Sequence, residues 1–141
     1  MPRKPLLRSD RFPYHVTGRT NNRENFPCEL PEVWRFLTKQ LNKQIEERWA
    51  KVHALVLMPN HYHLLISTPL HNLDKIMQDW VASTTRIINR KSGRSGHVFG
   101  GRYFWSSIQS PHYYMHAYKY LYRNPVKDRL CKKVEEYEFS T

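Results

Sequence analysis

Val52-His53-Ala54-Leu55-Val56-Leu57-Met58, then Pro59-Asn60, then His61-Tyr62-His63-Leu64-Leu65-Ile66-Ser67-Thr68: the fold turns on this stretch. Each half is rich in branched and aromatic residues and has the length of a strand, and Pro-Asn punctuates the join. So short a break predicts an antiparallel pair, because a parallel pair needs a long crossover.

Alternate side chains of a strand share a face. His61 and His63 therefore stand side by side, their Cα atoms roughly 6–7 Å apart at a rise of ~3.3 Å per residue. Tyr62, Leu64 and Ile66 point the other way, toward a core. Two imidazoles so placed can share one divalent ion. H-x-H alone also describes two packed histidines; the rigid Pro59-Asn60 turn before it and the apolar run after it favour ligands.

Upstream, residues 12–20 read as a first strand, with Tyr14, Val16 and Gly18 on one side and His15, Thr17 and Arg19 on the other. Residues 21–25 form a polar loop. Pro31 opens a helix, where its missing N–H costs nothing. Val33, Leu37, Leu41 and Ile45 recur every four residues along it to about Trp49, with Trp34 alongside. Downstream, Asn72 is a good N-cap for the clearest helix of the chain, with Leu73, Ile76, Met77, Trp80, Val81, Thr84, Ile87 and Ile88 on one face. Residues 90–101 (RKSGRSGHVFGG) are a basic, glycine-rich loop, long enough to be mobile and to follow a nucleic-acid backbone. A fourth strand is expected over 102–109. Ser110-Pro111 starts a helix that Asn124-Pro125 should end near Arg123. The tail from Val126 either packs or pairs weakly.

The order is that of an α+β, ferredoxin-like βαββαβ fold: an antiparallel sheet with helices on one face, plus a C-terminal tyrosine-bearing helix. No repeat or second domain is visible, so residues 1–141 read as one domain, with residues 1–11 a basic N-terminal arm.

Charge narrows the partners. Lys and Arg total 23 against 12 Asp and Glu, a net charge of +11 with a pI near 9.9. In so small a domain this favours polyanions through phosphate contacts and counterion release. Aromatic residues make up 13% of the chain; unstacked bases of single-stranded nucleic acid stack on such rings. No apolar run approaches the ~18 residues of a membrane span. MPRKPLLRSD lacks the apolar core of a signal peptide, so a cytosolic location is expected. Cys28 and Cys131 form no CxxC pair, so free thiols are expected rather than a disulfide scaffold or cysteine-type zinc site. No P-loop, glycine dinucleotide motif or Ser/His/Asp set competes with the histidine pair.

A metal pair needs a third ligand and a reaction. The last helix offers Tyr113, Tyr114, Tyr118, Tyr120 and Tyr122. Tyr120 and Asn124 are spaced i, i+4 and share a helix face, so a phenol and an amide oxygen can approach one metal-bound phosphate together. A phenol, with an ordinary pKa near 10, needs help from a metal, a base, or cations such as Lys119 and Arg123 to attack phosphorus at neutral pH. The same tyrosines would equally serve to fill a core.

Taken together these motifs resemble the single-tyrosine HUH transposases (His, bulky apolar residue, His), in the version found in REP-associated tyrosine transposases. Met58-Pro59-Asn60-His61-Tyr62-His63-Leu64-Leu65-Ile66 looks like the HUH motif. Tyr120-x-x-x-Asn124-Pro125-Val126 looks like the catalytic helix. His15-Val16-Thr17 with Gly18–Arg23, and the stretch from Val98 to Ser106, resemble the family's first strand and the segment before the tyrosine helix. Nearly the whole chain is covered. One departure is Tyr62, where the family more often has an aliphatic residue.

The resemblance implies His61 and His63 as ligands of Mg²⁺ or Mn²⁺, with Asn124 as the third ligand where some relatives have Gln. Tyr120 would be the nucleophile that cuts one DNA strand, leaving a 5′-phosphotyrosine and a free 3′-OH, with later rejoining. The implied partner is single-stranded DNA with a hairpin, REP-like or from an insertion-sequence end. The implied setting is a bacterial cytoplasm, nucleoid-associated and without a membrane, as monomer or homodimer. Arg19, Asn22, Arg23, Arg94, Arg102, Lys119 and Arg123 are the expected backbone contacts, and Tyr103 and Trp105 the expected base-stacking rings. Two rival readings are a hairpin DNA- or RNA-binding module that does not cut, and a metal-dependent phosphodiesterase that uses water.

Overall fold

The computed structural model describes residues 9–141; of the expected N-terminal arm, residues 1–8 lie outside the described residues. Strands β1 (Tyr14–Arg19), β2 (Lys51–Met58), β3 (His61–Ser67) and β4 (Phe104–Ser107) form one antiparallel sheet in the order β2-β3-β1-β4. Helices α1 (Leu30–Arg48) and α2 (Leu73–Ser92) complete the ferredoxin-like order, and α3 (Pro111–Lys127) follows β4.

Two cores divide the molecule. Tyr14, Val16, Leu55, Leu57, Tyr62, Leu64 and Ile66 bury one sheet face against α1 and α2. Trp80 of α2 ties the helices together by donating its indole N–H to the Leu37 carbonyl of α1 at 2.9 Å. On the opposite face Ala54, Val56, Met58 and Leu65 pack against Ala117 and Leu121 of α3. The expected single helix-bearing face thus holds for α1 and α2, and α3 covers part of the other.

Several details differ from expectation for identifiable reasons. Ile45 is 39% exposed, and Gln44 is buried in its place. Stepping by four residues drifts about 40° per step on a 3.6-residue helix, so three steps after Val33 the fourth position has left the core. Asn72 sits at the start of α2 without capping it; its side-chain amide donates to the Arg48 carbonyl at 3.1 Å instead. Ser110 does cap α3, accepting from the Tyr113 N–H at 3.1 Å. Pro125 does not end α3. The helix runs on to Lys127, with Asn124 and Pro125 buried inside it, because packing overrides the one hydrogen bond that proline forfeits.

The basic loop is shorter than expected, since α2 extends to Ser92. It is also anchored: Val98 and Phe99 are buried, Asn21 N–H donates to the Val98 carbonyl, and Gly100 N–H to that of Arg19. Strands β1 and β4 are each shorter than the runs expected over 12–20 and 102–109. The tail pairs rather than merely packs. Leu57 N–H donates to the Phe139 carbonyl and Thr141 N–H to that of Leu55, which covers the outer edge of β2. Cys28 and Cys131 are both free thiols. Among the described residues no helix is long and apolar enough to cross a membrane.

Candidate active site

His61 and His63 lie on the sheet face that α3 covers, their rings 5.1 Å apart between centroids. Both are buried, His61 at 8% and His63 at 5% exposure. Their hydrogen bonds assign their tautomers. His61 Nδ1–H donates to the Asn60 side-chain oxygen at 2.7 Å, an atom that can only accept. Asn60 is itself held, its amide donating to the Arg23 carbonyl at 3.1 Å. His63 Nε2 accepts from the Asn124 amide at 2.5 Å, so its Nδ1–H donates to His15 Nε2 at 3.1 Å. Both rings therefore carry the lone pair on Nε2, each with its other nitrogen anchored. Metal-binding histidines are commonly oriented this way.

Electrostatics agree. Burial, then the neighbouring His61, His15 and Arg19, push the His63 pKa down to about 3. Burial and then Arg19 lower that of His61, with Asp128 opposing. Burial lowers that of His15. Neutral imidazoles at pH 7 are the ligating form, and taking an ion would displace no proton from them. Among the described residues no three His, Cys, Asp or Glu side chains are grouped to hold a metal. Were an ion held here, a third protein ligand would have to be another kind of donor, and the amide of Asn124 lies against His63. Two imidazoles and an amide oxygen suit a divalent ion of the Mg²⁺–Mn²⁺ to Zn²⁺ range; the amide must present Oδ1 in place of its nitrogen.

Of the five tyrosines on α3, Tyr120 is the one whose ring lies against this cluster, 5.6 Å from the His63 ring and 6.1 Å from that of His15. It is 49% exposed. Tyr114, Tyr118 and Tyr122 form a ladder on the second core; Tyr114 hydrogen-bonds His53, and Tyr122 donates to the Thr141 carbonyl. Tyr113 contacts the Ser106 hydroxyl. Because α3 continues through Pro125, Tyr120 and Asn124 keep true helical i, i+4 geometry. Tyr120 and Asn124 also line a cleft of about 400 Å³ with His116, Lys119, Arg123 and Lys127.

The remaining expected contacts separate. Arg19 pairs in register with His61 and is exposed beside it. Exposed Asn22 and Arg23 follow in a 3-10 turn that meets Asn60. Arg94 instead stands past the end of α2, in the helix layer of the other face. Arg102 lies over the Tyr103 ring at 5.9 Å. Tyr103 and Trp105 are not free rings: both pack on the first core, Trp105 edge-on to Tyr14 at 5.9 Å. Strand alternation is the reason, since Trp105 pairs with buried Val16. The neighbouring Phe104, which the sequence reading passed over, faces the histidine side and is 68% exposed. His15 and Asn60 were also missed as orienting groups. Alternation put His15 on the right face of β1, but only the register of β1 on β3 brings it to His63.

Two predictions arise here. His15→Ala should weaken Mn²⁺ binding roughly 10- to 100-fold, the usual cost of losing the partner of a ligating histidine; unchanged affinity in a Mn²⁺ titration would count against its orienting role. The metal-free protein should also lose stability on acidification. The His63 pKa is lower folded (about 3) than unfolded (6.5), so the unfolded chain binds the extra proton. Its contribution is complete above pH 6.5 and declines from there toward pH 3. Urea midpoints across that range should fall in wild type and fall less in His63→Phe.

A ferredoxin-like sheet bearing a histidine pair under a tyrosine helix defines the class. The chain matches the family model for IS200-like transposases over residues 9–133, and it belongs to that family. Its fold matches the structure of a REP-associated tyrosine transposase bound to a REP hairpin, with TM-score 0.84 and 21% identity over 100% of this chain and 82% of the other. A candidate transposase from Deinococcus radiodurans matches at TM-score 0.56 and 20% identity, covering 85% of this chain and 93% of that one. No curated protein gives a significant sequence match.

Proposed function

We propose that this transposase-family protein cuts and rejoins single-stranded DNA through Tyr120, assisted by a divalent ion held by Nε2 of His61, Nε2 of His63 and Oδ1 of Asn124. The contact of the Tyr120 ring with His63, beside two histidines that present the same lone pair, carries the reading. Mg²⁺ or Mn²⁺, when bound, supplies polarisation of a phosphoryl oxygen and orientation of the strand. The Tyr120 oxygen attacks phosphorus as its proton departs. The bond from phosphorus to the 3′ oxygen breaks, and that oxygen takes up a proton. One strand end is then a free 3′-OH and the other a 5′-phosphotyrosine, which keeps the phosphoester energy for rejoining.

Arg19, Lys119 and Arg123 hold the strand's phosphates near the tyrosine. Arg23 and Asn22 extend that track past β1; Arg94 and Arg102 serve a more distant part of the DNA. A hairpin beside the cleavage site is the expected substrate, by analogy with the REP hairpin bound to the structural neighbour. The test is incubation with single-stranded hairpin DNA and Mn²⁺, followed by a denaturing gel. A covalent protein–DNA band that EDTA prevents is expected; no cleavage of any single-stranded hairpin with either metal would overturn the proposal.

A further inference from the structure

Helix α3 covers the second sheet face over β2 and β3 and, through Ile108, the region just past β4. The other end of β1 and β4 on that face stays open. There Thr17 faces His63 across one ladder and Phe104 across the other, so the three side chains form one row on one face. At strand spacings of about 4.8 Å, the Phe104 and His63 Cα atoms lie roughly 10 Å apart. Phe104 is 68% exposed on the edge strand, where a charged side chain is the usual guard. Exposed Tyr113, its hydroxyl 3.2 Å from Ser106 Oγ, adds a second ring next along the edge.

Single exposed rings are common on protein surfaces. This one is set apart by its place: on the sheet face of the histidine pair, on a chain of net charge +11, with the Arg19 side of the pair open beside it. We propose that Phe104 is a stacking platform for a base of the single strand, next to the nucleotide held at Tyr120. The occupant is single-stranded DNA, because the open face continues directly into the cluster that would receive the scissile phosphate and its exposed charge, Arg19, is cationic. The proposal rests on the reading of Tyr120 given above. A π-face accepts any base, so the platform holds the strand without choosing its sequence.

The experiment uses the full chain in a Tyr120→Phe background, which should bind without cutting, and a fluorescent single-stranded hairpin oligonucleotide. Abasic sites are placed one at a time on either side of the scissile position. Phe104→Ala should weaken binding of the intact strand roughly 5- to 150-fold, the range for losing one base–ring stack, and Phe104→Trp should restore it. One abasic position should weaken binding to Phe104 and have no further effect in Phe104→Ala. Unchanged DNA affinity in Phe104→Ala would overturn the platform alone, as would a loss spread equally over all abasic positions. The same holds if light scattering shows that Phe104→Ala only separates two copies of the chain. Failure of the parent protein to bind any single-stranded hairpin would overturn the underlying reading as well.

Discussion

Tyr120→Phe is expected to abolish strand cleavage and the covalent adduct while leaving hairpin DNA binding within a few-fold of wild type. Loss of a nucleophile costs a rate factor of about a thousand or more. The substitution removes only the hydroxyl, and the ring remains against His63 and His15. The side chain is half-exposed, so the fold should change by less than about 0.5 kcal/mol. The result separates the rival readings. A phosphodiesterase that activates water would still cut after the change, and a pure binding module would never have cut. The other four tyrosines of α3 serve as internal controls: Tyr118→Phe alters the structural ladder and should leave an adduct intact.

Gly18→Val should strongly destabilise the fold. Gly18 pairs with Tyr62 across β1 and β3, and the Tyr62 ring lies over it. A Cβ built at Gly18 would meet the Tyr62 hydroxyl at 2.5 Å and ring carbons at 2.6 Å. Tyr62 is confined, being fully buried between Trp80 and Phe99 at centroid distances of 4.8 and 5.6 Å. Overpacking of this kind costs about 1–3 kcal/mol, a drop in Tm of roughly 3–10 °C for a chain of this size. Calorimetry checks it, and Gly18→Val with Tyr62→Leu should recover much of the loss. The pairing also explains how a tyrosine fits between the two histidines: the opposite strand yields the space.

The strand pair around Pro59-Asn60 was legible because a period of two reports the face of every side chain, and the same alternation separated Tyr62 from His61 and His63. The order of elements then left few topologies. Legibility failed where the signal depends on what another element contributes. Periodicity by fours misassigned Ile45, and a proline rule stopped α3 too early because the burial of Asn124 and Pro125 is a tertiary fact. In the site, alternation set the two histidines side by side and the family resemblance singled out Tyr120, yet His15 and Asn60 needed the register and the turn geometry to appear beside the imidazoles. The sequence reading expects Trp105 to stack on bases; its strand parity, set against Val16, packs it on the core and turns Phe104 outward instead.

The most direct test is anomalous diffraction from crystals of Tyr120→Phe grown with Mn²⁺ and single-stranded DNA. The expected result is a manganese peak within coordination distance of Nε2 of both His61 and His63. Oδ1 of Asn124 and a phosphate oxygen should join them as ligands, with the phenyl ring introduced by the substitution facing that phosphate. Manganese bound elsewhere on the chain, with the histidine pair still closed by the Asn124 amide nitrogen while DNA occupies the cleft, would contradict it.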